Sequence, residues 1–272
     1  MPGSEIVAKI KQKQIADLIS QGTRADGRGL TDYRKIAIQL EPIAKAEGSA
    51  LVSLGNTKVM TGVKIEMGSP FPDTPDEGVL TVNAELLPLA SPTFEPGPPD
   101  ERSVELARVV DRGIRESKAI DVEKLCLIPG KKVFVVFADV YILDYDGNLF
   151  DASSIATLSA LLKAQIPEYE VRDGEIYLKE SKVPLPMRSR PVSVTMAKIG
   201  GKLVVDPSID EEQVMDARVT MAIDENGNLC AIQKGGIGTL TRADVISAMQ
   251  IALEKSEEIR KKIAEAVELG QN

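Results

Sequence analysis

The sequence predicts an α+β protein built from two tandem sheet-plus-helix units with internal pseudo-symmetry. Three observations lead there. Strand-like segments of alternating polarity fill residues 35–89 and end at a Pro-rich break, after which a helical period begins at Asp100. A second strand block over 131–150 runs into ASSIATLSALL, which carries no charge between Asp151 and Lys163. The remaining third repeats the scheme, with strands from 192 to 232 followed by one long amphipathic stretch from about Thr241 to Glu268.

Taken in order, residues 4–21 predict a helix that docks Ile6, Ile10, Ile15, Leu18 and Ile19, leaves Lys9, Lys11 and Lys13 outside, and stops at Gly22. GTRADGRGLTDYR, residues 22–34, reads as a loop. KIAIQLEP, GSALVSLGN, TKVMTGVKIEM and GVLTVNAELLPL then read as a meander, an antiparallel sheet to be backed by helices. Pro96-Gly97-Pro98-Pro99 can continue neither helix nor central strand, and Asp100 behind it is a good N-cap. KKVFVVFADVYILDYDGNLF closes on the turn Asp146-Gly147-Asn148, and a helix as free of charge as 151–162 belongs between layers. Short strands broken at Asp173-Gly174 lead to VPLPMRSRP, the expected boundary. The chain thus divides into an N-terminal helix and arm (1–30), a first unit (31–185) and a second (186–272). Strands 192–198 and 202–206 join at Gly200-Gly201, and the pair within 218–232 turns at Glu225-Asn226-Gly227-Asn228. Thr241 with Asp244 makes a capping box for the last helix.

Composition bounds the function. With 272 residues, 43% hydrophobic and 27% charged, the chain affords a large core without staples. No apolar run reaches the roughly 18 residues of a membrane span, and MPGSEIVAKIKQKQIADL lacks a secretory segment, so the expected location is cytoplasmic. Cys126 and Cys230 form no C-x-x-C pair and read as buried thiols. Histidine is absent, which excludes Ser-His-Asp and Cys-His nucleophilic sites and imidazole acid/base chemistry within this chain. The net charge of −8 argues against coating nucleic acid by bulk attraction. A local basic patch escapes that objection, because screening acts over about 8 Å at physiological salt.

Such a patch stands on the helix that starts at Asp100. At 100° per residue, Leu106, Val109, Val110, Gly113 and Ile114 share one side, while Arg108, Arg112 and Arg115 line the other. A row of guanidinium groups on a core helix suits gripping phosphate oxygens two at a time. Glu101, Glu105 and Asp111 share that side, so an ion-paired solvent face is the competing reading. Two other motifs keep two readings each. Asp206, Asp210, Glu211 and Glu212 suit a divalent metal or an acid catalyst, or they favour a helix dipole. Lys234-Gly235-Gly236-Ile237-Gly238 offers amides to phosphate, or simply connects, and lacks the G-K-[ST] ending of a P-loop.

Arg24-Ala25-Asp26-Gly27-Arg28, GSALVSLGNTKVMTGVKIE, ELLPLASPTFEPGPPDERSVELARVVDR and LVVDPSIDEEQVMDARVT together resemble the RNase PH superfamily, and within it the non-catalytic ring subunits of the archaeal exosome. The resemblance runs from about Ile15 to Ala252 and implies an RNase PH-like fold of two ribosomal S5 domain 2-like units. It implies a hexameric ring in which three copies alternate with three of a catalytic RNase PH-type subunit, capped by S1-domain RNA-binding subunits. Single-stranded RNA would enter that ring and be degraded 3′ to 5′ by inorganic phosphate. Arg108 and Arg112 match the positions that hold the RNA backbone beside the neighbour's active site, and Arg115 belongs to the same face. Two departures imply that this chain is itself non-catalytic, with no catalytic residue, cofactor or metal of its own. Catalytic members follow Asp-Ala with a Gly-Ser/Thr-Arg phosphate loop, where this chain reads Asp151-Ala152-Ser153-Ser154-Ile155-Ala156 and lacks the arginine, and they place an essential Asp near Glu212. The alternatives are a phosphorolytic exoribonuclease active by itself through Asp206, Asp210 or Glu212, and an acidic spacer that never touches RNA.

Overall fold

The structure is a computed structural model and describes residues 13–269. Helix α1, described over 13–20, buries Ile15 and Ile19 against Ala197, Ile199 and Val204. Ile6, Ile10, Lys9 and Lys11 of the expected helix lie outside the described residues.

The first sheet comprises β1 (Ile36–Leu40), β2 (Gly48–Leu54), β3 (Thr57–Gly68), β4 (Val79–Leu86), the short β5 (Cys126–Ile128) and β6 (Lys132–Asp144). Its order is β1-β2-β3-β6-β4, with β5 paired to β6. This corrects the expected antiparallel meander. β6 inserts between β3 and β4, and it runs parallel to β4 from Val79↔Val135 to Leu86↔Ile142. Helix α2 (Glu101–Glu116) makes the crossover that a parallel neighbour requires. β5 and the 3-10 turn Val122–Leu125 that precedes it were not anticipated.

Helix α3 (Leu149–Lys163) lies between the layers as its missing charge requires, with every residue from Phe150 to Leu161 buried. Asn148 caps it from the left-handed region at φ 53°, one of the few non-glycine residues at ease there. One face of α3 packs on β2 and β3, the other on β9. Gly48 on β2 permits that approach, since a Cβ there would lie 2.3 Å from the Ala160 carbonyl oxygen. β7 (Gln165–Arg172) and β8 (Glu175–Pro184) form a separate two-stranded ribbon.

The second sheet, ordered β10-β9-β11-β12, is antiparallel throughout: β9 (Val192–Ile199), β10 (Lys202–Val205), β11 (Ala217–Ile223) and β12 (Leu229–Gly235). The short helix α4 (Ile209–Val214) and the long α5 (Arg242–Leu269) complete the chain. The capping box of α5 forms as its sequence predicts. Asp244 Oδ2 accepts from the Thr241 amide at 2.7 Å, and Thr241 Oγ1 accepts from the Asp244 amide at 3.2 Å. One core serves both sheets, joining Val52, Val59 and Val140 to Val194, Met221 and Ile259 around α3. Cys126 and Cys230 are free thiols, but half-buried rather than buried, because each lies on a marginal strand with one side open. No helix among the described residues is long and apolar enough to cross a membrane.

Candidate nucleic-acid interface

Helix α2 forms where its sequence predicts. Asp100 Oδ1 accepts from the Ser103 amide at 2.9 Å, and Leu106, Val109, Val110, Gly113 and Ile114 are all buried. It packs on β4, the last strand of the first sheet, and on β12, the last strand of the second. Its outer face therefore spans the margin of both.

Arg108, Arg112 and Arg115 are exposed on that face. Arg115 Nη2 lies 3.1 Å from Asp111 Oδ2, the i,i+4 pair expected of a solvent face, and partial burial pushes the Asp111 carboxyl up. Arg108 and Arg112 have no carboxylate partner among the described residues. Glu105, the acid best placed to neutralise them, points away. Its Oε1 accepts from Arg218 Nη2 at 2.5 Å, and the Arg218 guanidinium lies 3.9 Å above the Phe150 ring. Arg108, Arg112 and Gln233 share a groove between α2 and β12, whose floor is Val109.

After β10, Asp206 and Glu212 both bond Asn148, while Glu211 is held apart from them by Arg24. Asp206, fully buried, is held by Arg34 Nη2 at 2.7 Å, Arg28 Nη1 at 2.9 Å and Asn148 Nδ2 at 2.8 Å. Glu211 pairs bidentately with buried Arg24, at 2.8 Å and 2.5 Å, and completes a capping box with Ser208. Glu212 accepts from the Tyr145 hydroxyl at 2.5 Å and the Asn148 amide at 2.9 Å. Burial pushes the Glu212 carboxyl above the usual range in spite of those donors. Asp151, at the first turn of α3, accepts from Tyr33 Oη, Asn148 Nδ2 and the Thr195 amide, and burial raises its pKa to about 6. The two residues that follow Ala152, Ser153 and Ser154, are buried. Among the described residues no cluster of three or more His, Cys, Asp or Glu could hold a metal ion.

A loop reading of residues 22–34 misses that Arg24, Arg28 and Arg34 are the counter-charges of Asp206 and Glu211. The signal was available in three arginines in one segment and four acids in another, though nothing local says that they meet. Arg218 is missed as well, since it reads as one more strand residue. Lys234 and Gly235 end β12 and residues 236–238 lead on toward α5, with Ile237 fully exposed and Lys234 Nζ donating to the Gly236 carbonyl.

Two family models match the chain: "3′ exoribonuclease family, domain 1" over residues 32–167 and "3′ exoribonuclease family, domain 2" over 189–255. The chain is 55% identical over 269 residues to "Exosome complex component Rrp42" of Pyrococcus horikoshii, covering 98% of each. It is 53% identical to the protein of that description in Thermococcus onnurineus, over 98% of this chain and 99% of the relative. A solved structure described as "Archaeoglobus fulgidus exosome with RNA bound to the active site" contains a chain 47% identical, with TM-score 0.87, covering 94% of this chain and 99% of that one. A chain of an "Archaeal exosome core" superposes with TM-score 0.85 at 42% identity, over 97% of this chain and 100% of that one.

Proposed function

The chain belongs to the RNase PH family of 3′ exoribonucleases, and from that premise we propose that it is a non-catalytic component of an exosome ring, gripping single-stranded RNA for a neighbouring subunit's active site. The observation that carries this reading is the pair Arg108 and Arg112. They stand exposed on the outer face of a core helix, without a carboxylate partner among the described residues, while Glu105 is engaged elsewhere. Guanidinium groups so placed meet phosphate oxygens at low cost, because no ion pair must first be broken. Arg115 shares the face but is paired with Asp111, so it contributes less.

The absence of chemistry in this chain is supported separately. Asp206 and Glu211 are ion-paired with Arg34, Arg28 and Arg24, and Glu212 is held by Tyr145 and Asn148, so these carboxylates serve contacts within the chain. Where catalytic members carry the arginine that would hold an attacking anion, this chain has Ile155, fully buried in α3. The partners are a catalytic RNase PH-type subunit alternating with this one three times around the ring, S1-domain cap subunits and single-stranded RNA, in the cytoplasm. Relatives carrying the description "Exosome complex component Rrp42" and the RNA-bound neighbour support that assembly.

In a ring assembled with the catalytic subunit, Arg108→Ala/Arg112→Ala should weaken RNA retention without disturbing assembly. Its salt dependence should shallow by roughly 0.7 per arginine. An unchanged slope overturns the grip. Phosphate-dependent release of nucleoside diphosphates by the purified chain alone would establish the other reading, an autonomous exoribonuclease.

A further inference from the structure

The two unpartnered arginines stand beside an acid that ought to quench them. Glu105 precedes Arg108 by three residues on the same helix, a spacing at which side chains meet and opposite charges pair. It borders the groove that holds Arg108 and Arg112, and it borders a second cavity lined by Phe150, Tyr145 and Arg218. Its carboxylate is drawn toward the second. Arg218 reaches from β11 to Glu105 with its side chain 10% exposed, against 38% for Glu105, so the cation is the fixed member of the pair and the acid the movable one. Two features fix it. The Phe150 ring lies under the guanidinium at 3.9 Å. Gly235, the cross-strand partner of Arg218, leaves room above, since a Cβ there would lie 2.5 Å from Arg218 Nη2. Its buried Nε has no hydrogen-bond partner, which leaves Glu105 as the acceptor that the guanidinium bonds.

Resting on the RNA-gripping reading, we infer that Arg218 is a positioning residue: it holds Glu105 out of the α2–β12 groove, so that Arg108 and Arg112 meet phosphate as uncompensated cations. Arg218→Met keeps an apolar stem over Phe150 and releases Glu105. The assembled ring should then bind fluorescein-labelled oligoadenylate about threefold more weakly by anisotropy, the scale on which an exposed ion pair competes. Adding Glu105→Gln to Arg218→Met should restore wild-type affinity. A defect in packing on Phe150 would not be rescued by a change at Glu105, and equal urea midpoints for the single and double variants exclude a rescue that acts through stability. Wild-type affinity in Arg218→Met, or a double variant as weak as the single one, overturns the inference. Arg108→Ala/Arg112→Ala in the same assay separates the two levels. If it binds as tightly as wild type, the grip itself is wrong. If it binds weakly while Arg218→Met is unaffected, only the positioning role falls.

Discussion

Asp206 has no exposed surface, and two arginines and an asparagine converge on its carboxylate. Removing one member of a buried ionic set strands the others without compensation, a loss of about 3–5 kcal/mol. Asp206→Ala should therefore unfold in urea with that much less stability, and a loss below about 1 kcal/mol would show that water reaches Arg28 and Arg34. Asp151 gives a pH signature of opposite sign to that of an ordinary ion-paired acid. Its folded pKa of about 6 lies above the ordinary 3.8, so the native state holds the proton more tightly than the unfolded chain does. Its contribution to stability is full below pH 3.8 and is lost as pH rises toward 6, by about 3 kcal/mol over the two-unit shift. Asp151→Asn cannot ionise, so its stability relative to wild type should improve by about that amount between pH 4 and pH 7. A difference that stays flat with pH removes the argument. At this scale the sequence was partly legible. The exposed arginines follow from helical spacing alone, whereas the partners of Asp206 lie more than fifty residues away and no periodicity links them.

Helices were the most legible elements and strand order the least. α2 and α5 announce themselves by caps and stripes, which are local chemistry. The insertion of β6 between β3 and β4 is not local, because alternation sets which face a strand buries and says nothing about its neighbours. Two substitutions probe the elements. Thr241→Ala deletes one half of the α5 capping box and should cost about 1 kcal/mol, seen as faster amide exchange confined to the first turn. Gly48→Ala forces a methyl group against backbone atoms of α3, at 2.3 Å from the Ala160 carbonyl oxygen and 2.7 Å from Ala164, where no side-chain rotation relieves it. It should destabilise by about 2–3 kcal/mol in chemical denaturation. A neutral result would mean that α3 slides on β2 without penalty.

At the scale of the whole molecule, α3 joins the two sheets into one core, so the units expected from the sequence share their interior. Amides of β3 and β9, one strand from each sheet, should exchange by the same global opening with equal free energies. Separate values would make the halves independent. If Arg108 and Arg112 grip RNA as proposed, the net charge of −8 leaves the attraction to one helix face, and binding should weaken as salt rises even though the molecule repels polyanions on average. The segment from Arg24 to Arg34, just ahead of β1, reaches the acids that follow β10, and Arg24, Arg28 and Arg34 together neutralise Asp206 and Glu211. That makes the arm a clasp between chain segments about 180 residues apart. Cleaving the peptide ahead of Ile36 would withdraw all three cations in one stroke, and neither sheet, expressed as a separate fragment, would inherit a neutral interior.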